Sequence, residues 1–522
     1  MLGGDDERVI AQAMRLAQVG NVITATALLE TLAQTHPGSP RVQVALADVL
    51  RQTGRYSEAL RCYESALPLE PASDRKPEDG GARIGLALCL AQRPLLARQL
   101  TDRQSVADLL SDTRIDPALL AGAAAVLLRD SPDMLADPLL HLLLRRTPTT
   151  DLGLERALVQ HRRRLCLSPP SEHGELAGAL AIQGQLNEFV WSVSAEEESA
   201  LPTAPTWVQD MYGPLAPDPD LSRRAAGVPA LTMIHDAVST AVAHQYEEHP
   251  YPRWTSLPPH ATEDLDVHLA RLTRGTWSPP EGVRRPRLLA AGCGTGREML
   301  SAASAWRPSE VVGVDLSRTS LGYAHRMAEQ LGIPVELFHG DLLALVDWDR
   351  RFDVIVCTGV LHHLDDPIAG WRVLTGLLSP GGVMLVGLYS ATARQGVLAA
   401  RDEVRRRGLL PTTAGIRAAR ELVSEMPKAQ ACLALSDFYY LSGCRDLLLH
   451  AHEQEFTIAD VRAALEHLDL ELLGFEVDGA ERHRFGTLFG RGDDLASWEA
   501  YEGLFPRTFL GMYQFWCRAS ER

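Results

Sequence analysis

The chain has 522 residues, 46% of them hydrophobic and 23% charged, which suits a soluble globular protein of more than one domain. A formal net charge of −16 argues against broad binding to nucleic-acid phosphates, and the short basic clusters Arg162–Arg164 and Arg405–Arg407 read as solvated helix faces. The eight cysteines are scattered without metal-ligand spacing, so reduced core thiols and no metal are expected. The start, MLGGDDERVI, lacks an apolar signal core, and the run Ala118–Leu128 is too short to cross a bilayer. The expectation is a cytoplasmic protein without a membrane partner.

The first region repeats. Gly20, Ala25 and Pro37 recur as Gly54, Ala59 and Pro71, each 34 residues on, the period of tetratricopeptide helix pairs. In the second unit Leu46 and Ala47 belong to the first helix, Gly54 and Tyr56 to the turn, and Ala59, Tyr63 and Ala66 to the second helix. A linker at Ala72–Gly80 precedes GARIGLALCLAQ, the start of a degenerate third unit. The pattern stays helical from about Ser105 to Ala200, and the Pro- and Asp-rich loop Leu201–Arg224 marks a boundary. The divisions are therefore 1–104 for the repeats, 105–224 for a helical extension, 225–282 for a linker or lid, and 283–522 for a C-terminal domain of another kind.

A different rhythm begins near Arg285. RLLAAG, EVVGVDL, VELFHGD, FDVIVCTG and VMLVGLY alternate with helical patterns, predicting a parallel sheet covered on both faces. After the first strand comes the loop Gly292, Gly294, Gly296. Its spacing is neither the dinucleotide G-x-G-x-x-G, since Arg297 comes next, nor a P-loop, since G-K-[ST] is missing. Asp315 ends the second predicted strand, where an acid can accept both ribose hydroxyls of an adenosine. Asp341 comes after the third, where it can accept from an adenine amino group while Leu342 offers its backbone N–H.

With that ordered set, residues 283–390 resemble a class I S-adenosylmethionine-dependent methyltransferase. FDVIVCTGVLHHLDDP resembles its fourth-strand motif, and LLSPGGVMLVGLY its fifth, with Pro380, Gly381 and Gly382 at the turn. The resemblance implies a Rossmann-like sheet, parallel apart from its end, where the class has an antiparallel sixth and seventh strand; LELLGFEV and TFLGMYQFWC supply candidates. It implies S-adenosylmethionine as cofactor, held by Ala291, Gly292, Cys293, Gly294, Gly296, Asp315, Leu316, Asp341, Leu342 and Thr358. It also exposes a departure. The class commonly has Asp or Glu where this chain has Ala290, an acid that helps hold the methionine ammonium group. Loop carbonyls or Glu298 can take over that contact.

FTIADVRAALEHL predicts a helix capped by Thr457, which leaves a helical insertion at about 391–455 as a cap over the substrate. Tyr439, Arg445, His450 and His452 of the insertion and Tyr389 before it are candidate substrate contacts. So are Tyr246, Tyr251 and Arg253 of HQYEEHPYPRW, a segment that serves as a lid or as a staple between halves. His362 and His363 are candidate bases where the acceptor must lose a proton. The HQYEEHPYPRW segment and MYQFW also resemble bacterial methyltransferases carrying tetratricopeptide repeats. Three functions are compatible with these features: methylation of a peptide or protein docked by the repeats, methylation of a small molecule as the likeness of VLHHLDDP to quinone-biosynthesis enzymes implies, or a scaffold with a vestigial cofactor fold.

Overall fold

The computed structural model describes residues 4–18, 20–69, 81–171, 174–214, 218–257, 263–273, 275, 285–490 and 494–520. Pro71 and the linker 72–80 lie outside these residues. The antiparallel helices Val22–Thr35, Pro40–Gln52 and Tyr56–Ala66 form the repeats, with Gly54 at φ +77° turning one into the next. Ala25 and Ala59 are fully buried, so the helices approach closely. Tyr63 donates to Asp48 at 2.5 Å, and its ring fills the space that a Cβ at Gly85 would take, docking the next helix, Ala82–Gln92. The loop expected at 201–224 includes the short helices Thr206–Gln209 and Pro219–Gly227.

The sheet contains β1 (Arg287–Ala291), β2 (Glu310–Asp315), β3 (Glu336–His339), β4 (Phe352–Thr358), β5 (Leu378–Leu388), β6 (Leu470–Phe475) and β7 (Tyr513–Ala519), in the order β3-β2-β1-β4-β5-β7-β6. Strands β1 to β5 are parallel; Leu289 faces Val312 on one side and Ile355 on the other. The apolar runs of these strands are buried on both faces, as a sheet sandwiched between helices requires. Only β7 is antiparallel, inserted between β5 and β6. The expectation of an antiparallel sixth strand is thus corrected: β6 pairs antiparallel with β7 and so runs the same way as β5. The strand order reverses direction between β1 and β4, where open α/β sheets bind ligands beyond the strands' C-terminal ends.

Between β5 and β6 the insertion folds as helices Gln395–Arg406, Thr413–Ser424 and Leu441–Leu449. Their apolar faces do not join the sheet's core. Val397, Ile416, Val423, Phe438 and Leu447 share one core with Leu60, Leu143, Leu158 and Trp191 of the helical half. Arg420 of the insertion seals that junction, donating to both carboxylate oxygens of Glu155 at 2.7 and 2.6 Å and to the Phe438 carbonyl at 2.6 Å. In the basic cluster at 162–164, Arg163 and Arg164 are exposed as a solvated helix face requires, but Arg162 is not. Arg162 is 2% exposed, donating to the Ser192 carbonyl at 2.5 Å with its guanidinium 4.2 Å from the Tyr212 ring centre. Among the described residues, no helix is long and apolar enough to cross a membrane.

Candidate active site

The glycine loop is shaped by contacts that exclude side chains. Gly292 and Cys293 donate to the Val314 carbonyl at 2.8 and 3.1 Å, bending the chain as it leaves β1 over the end of β2. Gly292, Gly294 and Gly296 take φ of +72°, +52° and +86°, a region that residues with a Cβ enter only at a cost of roughly 1–2 kcal/mol. A Cβ on Gly294 would also stand 2.7 Å from the Tyr251 carbonyl oxygen. Gly294→Ala is therefore expected to displace the 251–254 segment and weaken S-adenosylhomocysteine binding at least tenfold, read by calorimetry; an unchanged affinity would contradict this geometry.

The loop opens on a cavity of about 430 Å³, within the usual size of small-ligand sites. Ala290, Ala291, Gly292, Cys293 and Gly294 line its floor, with Glu298 from the first turn of the next helix. Ala290 offers only a methyl group. The Glu298 carboxyl, raised by burial against the neighbouring Arg297 charge, is the acid on this side. Gly296 caps the helix and packs toward Ala324, outside the lining. Asp315 at the end of β2 with Leu316 just beyond it, Asp341 and Leu342 beyond β3, and Thr358 at the end of β4 line the same cavity. Asp315 accepts from the Gly294 and Ser317 N–H groups at 2.7 and 2.8 Å, and burial pushes its carboxyl up to about 6 despite those donors. Asp341 uses one oxygen to cap the next turn, accepting from Leu343 at 3.0 Å.

The roof comes from three places. The segment 246–254 supplies Tyr246, Tyr251, Arg253 and Trp254; the insertion supplies Asp437, Tyr440 and Asp446; the helical half supplies Asp116, Thr147 and Leu186. Arg297, on the glycine-loop helix, reaches Asp116 at 3.4 Å. Arg253 lies 3.2 Å from Glu188. Tyr246 donates to Asp446 at 2.8 Å, and Tyr440 and Tyr251 donate to Asp437 at 2.8 and 3.2 Å. Burial and the neighbouring Glu453 charge push the Asp446 carboxyl up to about 7, and burial raises that of Asp437.

His363 lines the cavity, its Nδ1 2.9 Å from the His452 carbonyl, so the ring donates there and keeps its lone pair on Nε2. Burial lowers it to about 4, which leaves it neutral at pH 7. His362 does not line the cavity. It is fully buried with neither ring nitrogen hydrogen-bonded, stacked 4.1 Å from the Tyr389 ring. Consecutive side chains on this tight turn cannot both face the same space. Tyr389 lines the cavity, whereas Tyr439 and Arg445 lie off it: Tyr439 donates to the Leu433 carbonyl, and Arg445 points to the Pro411 carbonyl. In their place stand Tyr440, next to Tyr439 in the insertion's aromatic run, and Asp437 and Asp446, which the sequence motifs did not single out. A signal existed for Asp446, a lone acid in the apolar helical run GCRDLLL, since a buried carboxylate needs partners. His363, His450 and Glu453 bring ligand-type atoms within 4.8 Å of one another. They are committed otherwise: the histidine rings stack face to face at 3.8 Å, His450 Nδ1 accepts from His452, and Glu453 holds Arg401.

A glycine loop pinned to β2, carboxylates at the ends of β2 and β3, and a sheet ordered 3-2-1-4-5-7-6 define a class I S-adenosylmethionine-dependent methyltransferase domain, here behind N-terminal tetratricopeptide repeats. The methyltransferase-domain family model matches residues 288–382, and the tetratricopeptide-repeat model matches residues 16–75. An uncharacterized protein of Synechococcus sp. is 27% identical over 289 residues, 51% of this chain and 68% of its own length. The ubiquinone biosynthesis O-methyltransferase of Ruegeria pomeroyi is 34% identical over 122 residues, 23% of this chain; the match spans about half of that enzyme, 48%. Among solved structures, PKMT2 from Rickettsia typhi in complex with AdoHcy aligns at 19% identity and a TM-score of 0.38, covering 48% of this chain and 52% of that one. The cofactor of the class is S-adenosylmethionine, and the side-chain-free cradle at Gly292 and Gly294 beside the buried Asp315 fits it.

Proposed function

We propose that this chain transfers a methyl group from S-adenosylmethionine to a peptide or protein that its helical half guides to the cavity. One observation carries the substrate class: Asp116, Thr147 and Leu186 of the helical half are themselves part of the cavity wall, so an acceptor enters against that surface. Asp315 would accept the ribose hydroxyls, Asp341 and Leu342 would take the adenine edge, and the loop backbone with Thr358 would hold the methionine portion. Glu298 stands in for the acid missing at Ala290. When bound, the cofactor supplies an activated methyl on a sulfonium, so the protein's task is to bring acceptor and methyl into line and exclude water. Held neutral with a weakly basic Nε2, His363 orients the acceptor rather than taking its proton at pH 7.

The 34% identity with the ubiquinone biosynthesis O-methyltransferase of Ruegeria pomeroyi over 122 residues, beside the likeness of VLHHLDDP to quinone-biosynthesis enzymes, favours the second reading, a small-molecule acceptor. The full chain incubated with methyl-labelled S-adenosylmethionine in lysate of the source organism separates the two. Label is expected in protein. Label confined to the solvent-extractable fraction would overturn the peptide reading and leave the small-molecule one.

A further inference from the structure

The roof of the acceptor half has a composition that the cofactor does not need. Two carboxylates, Asp437 and Asp446, meet four tyrosines, Tyr246, Tyr251, Tyr389 and Tyr440, in one wall. Among the described residues neither acid has a Lys or Arg ion-pair partner; only His450 approaches, 3.7 Å from Asp446. Neither nearby arginine pairs with these carboxylates, although Nε and Nη2 of Arg394 are buried without a hydrogen-bond partner. Arg401 donates to Glu453 and to the backbone carbonyl of Asp446, and Arg394 lies 3.6 Å over the Tyr389 ring. The tyrosine hydroxyls donate to one oxygen of each acid, Oδ1, which orients both carboxyls and leaves Oδ2 of each without a hydrogen bond among the described residues. Tyr246 and Tyr251 stack with ring centres 6.4 Å apart. Arg394 and His362 lie against the Tyr389 ring.

We propose that this tyrosine–carboxylate box receives the methyl acceptor as an alkylammonium ion and that Asp446 takes its proton. The assignment rests on the methyltransferase reading and names the acceptor atom within it. An ammonium offsets both acids and lies well against tyrosine rings. A carboxylate acceptor would add a third acid beside two carboxyls already raised by burial, and a neutral phenol would supply no positive charge to favour their ionised forms. The proton passes from the ammonium nitrogen to Asp446 Oδ2, giving a neutral amine and a carboxylic acid. The freed lone pair forms the N–CH₃ bond as the methyl–sulfur bond breaks, its electrons remaining on sulfur as a thioether, and the product is the methylated ammonium. The groups facing Asp446 are Tyr246, His450, Glu453, Asp437, Tyr389 and Arg401.

The test uses the full chain saturated with S-adenosylhomocysteine, titrated by calorimetry with Nα-acetyl-lysine amide and with its neutral isostere Nα-acetyl-norleucine amide. The lysine probe is expected to bind at least tenfold more tightly, and Asp437→Asn and Asp446→Asn are each expected to erase most of that preference without changing S-adenosylhomocysteine affinity, which also reports that they fold. Equal binding of the two probes, or a preference that survives both substitutions, overturns the proposal. If the wild type fails to bind S-adenosylhomocysteine, the methyltransferase reading falls and takes this one with it. For the base, the rate of methyl transfer to the lysine probe should fall as pH drops below about 7 in the wild type and in Asp437→Asn. Asp446→Asn should lose roughly 100-fold in rate together with that acidic limb; a limb that persists in Asp446→Asn removes Asp446 as the proton acceptor.

Discussion

Asp315→Asn is expected to weaken S-adenosylhomocysteine binding by about 100-fold. An ionised carboxylate accepting two ribose hydroxyls makes two charge-assisted hydrogen bonds of roughly 1.5–3 kcal/mol each. Asparagine keeps the shape and one acceptor, so the loss is about 3 kcal/mol, at about 1.4 kcal/mol per tenfold. The same residue sets a pH dependence. Its carboxyl lies at about 6 in the folded chain, against an ordinary value of 3.8. Affinity should therefore hold above pH 6 and fall toward tenfold per unit below it, until the carboxyl is fully protonated. For the fold without ligand the sign is opposite. A carboxyl raised on folding contributes stability that is present below 3.8 and lost as pH rises through 6. Asp315→Asn should then melt higher than the wild type at pH 8, with the advantage shrinking at pH 4. Wild-type affinity in Asp315→Asn, or a flat affinity profile from pH 5 to 8, would remove Asp315 from the cofactor's contacts.

Arg420→Ala should cost about 3–5 kcal/mol of stability, because it leaves the Glu155 charge buried without its partner. Arg420 and Glu155 are each about 5% exposed or less, and two hydrogen bonds join them across the junction between insertion and helical half. The loss is read as a lower urea midpoint with the slope unchanged. Glu155→Ala alone should cost a similar amount. Combining Arg420→Met with Glu155→Leu should recover much of it, since an apolar pair needs no desolvation. A cost below about 1 kcal/mol for either alanine change would mean that water reaches the pair.

Features dictated by short-range rules were legible in the sequence. The 34-residue offset arises from one helix pair stacking on the next, and Gly54 at φ +77° is the turn that spacing requires. Uninterrupted apolar runs announced strands buried on both faces, and Thr457 with Asp460 forms the capping box the sequence suggests. Features that depend on which surface meets which were not legible. Nothing in Val397 or Ile416 says whether its apolar face meets the sheet or the helical half. The direction of β6 depends on where β7 inserts. Arg162, His362 and Tyr439 share one cause of misreading: each sits beside a residue of the same type or class, and in a helix or tight turn adjacent side chains diverge by roughly 100°. A chemical motif names the neighbourhood, while the backbone phase decides which neighbour faces the ligand.

The core that the insertion shares with the helical half ties the roof to that half rather than to the sheet. Excising the sheet with its insertion would strip Phe438 and Leu447 of their apolar surroundings, and the excised piece would aggregate or lose the roof that carries Asp437 and Asp446.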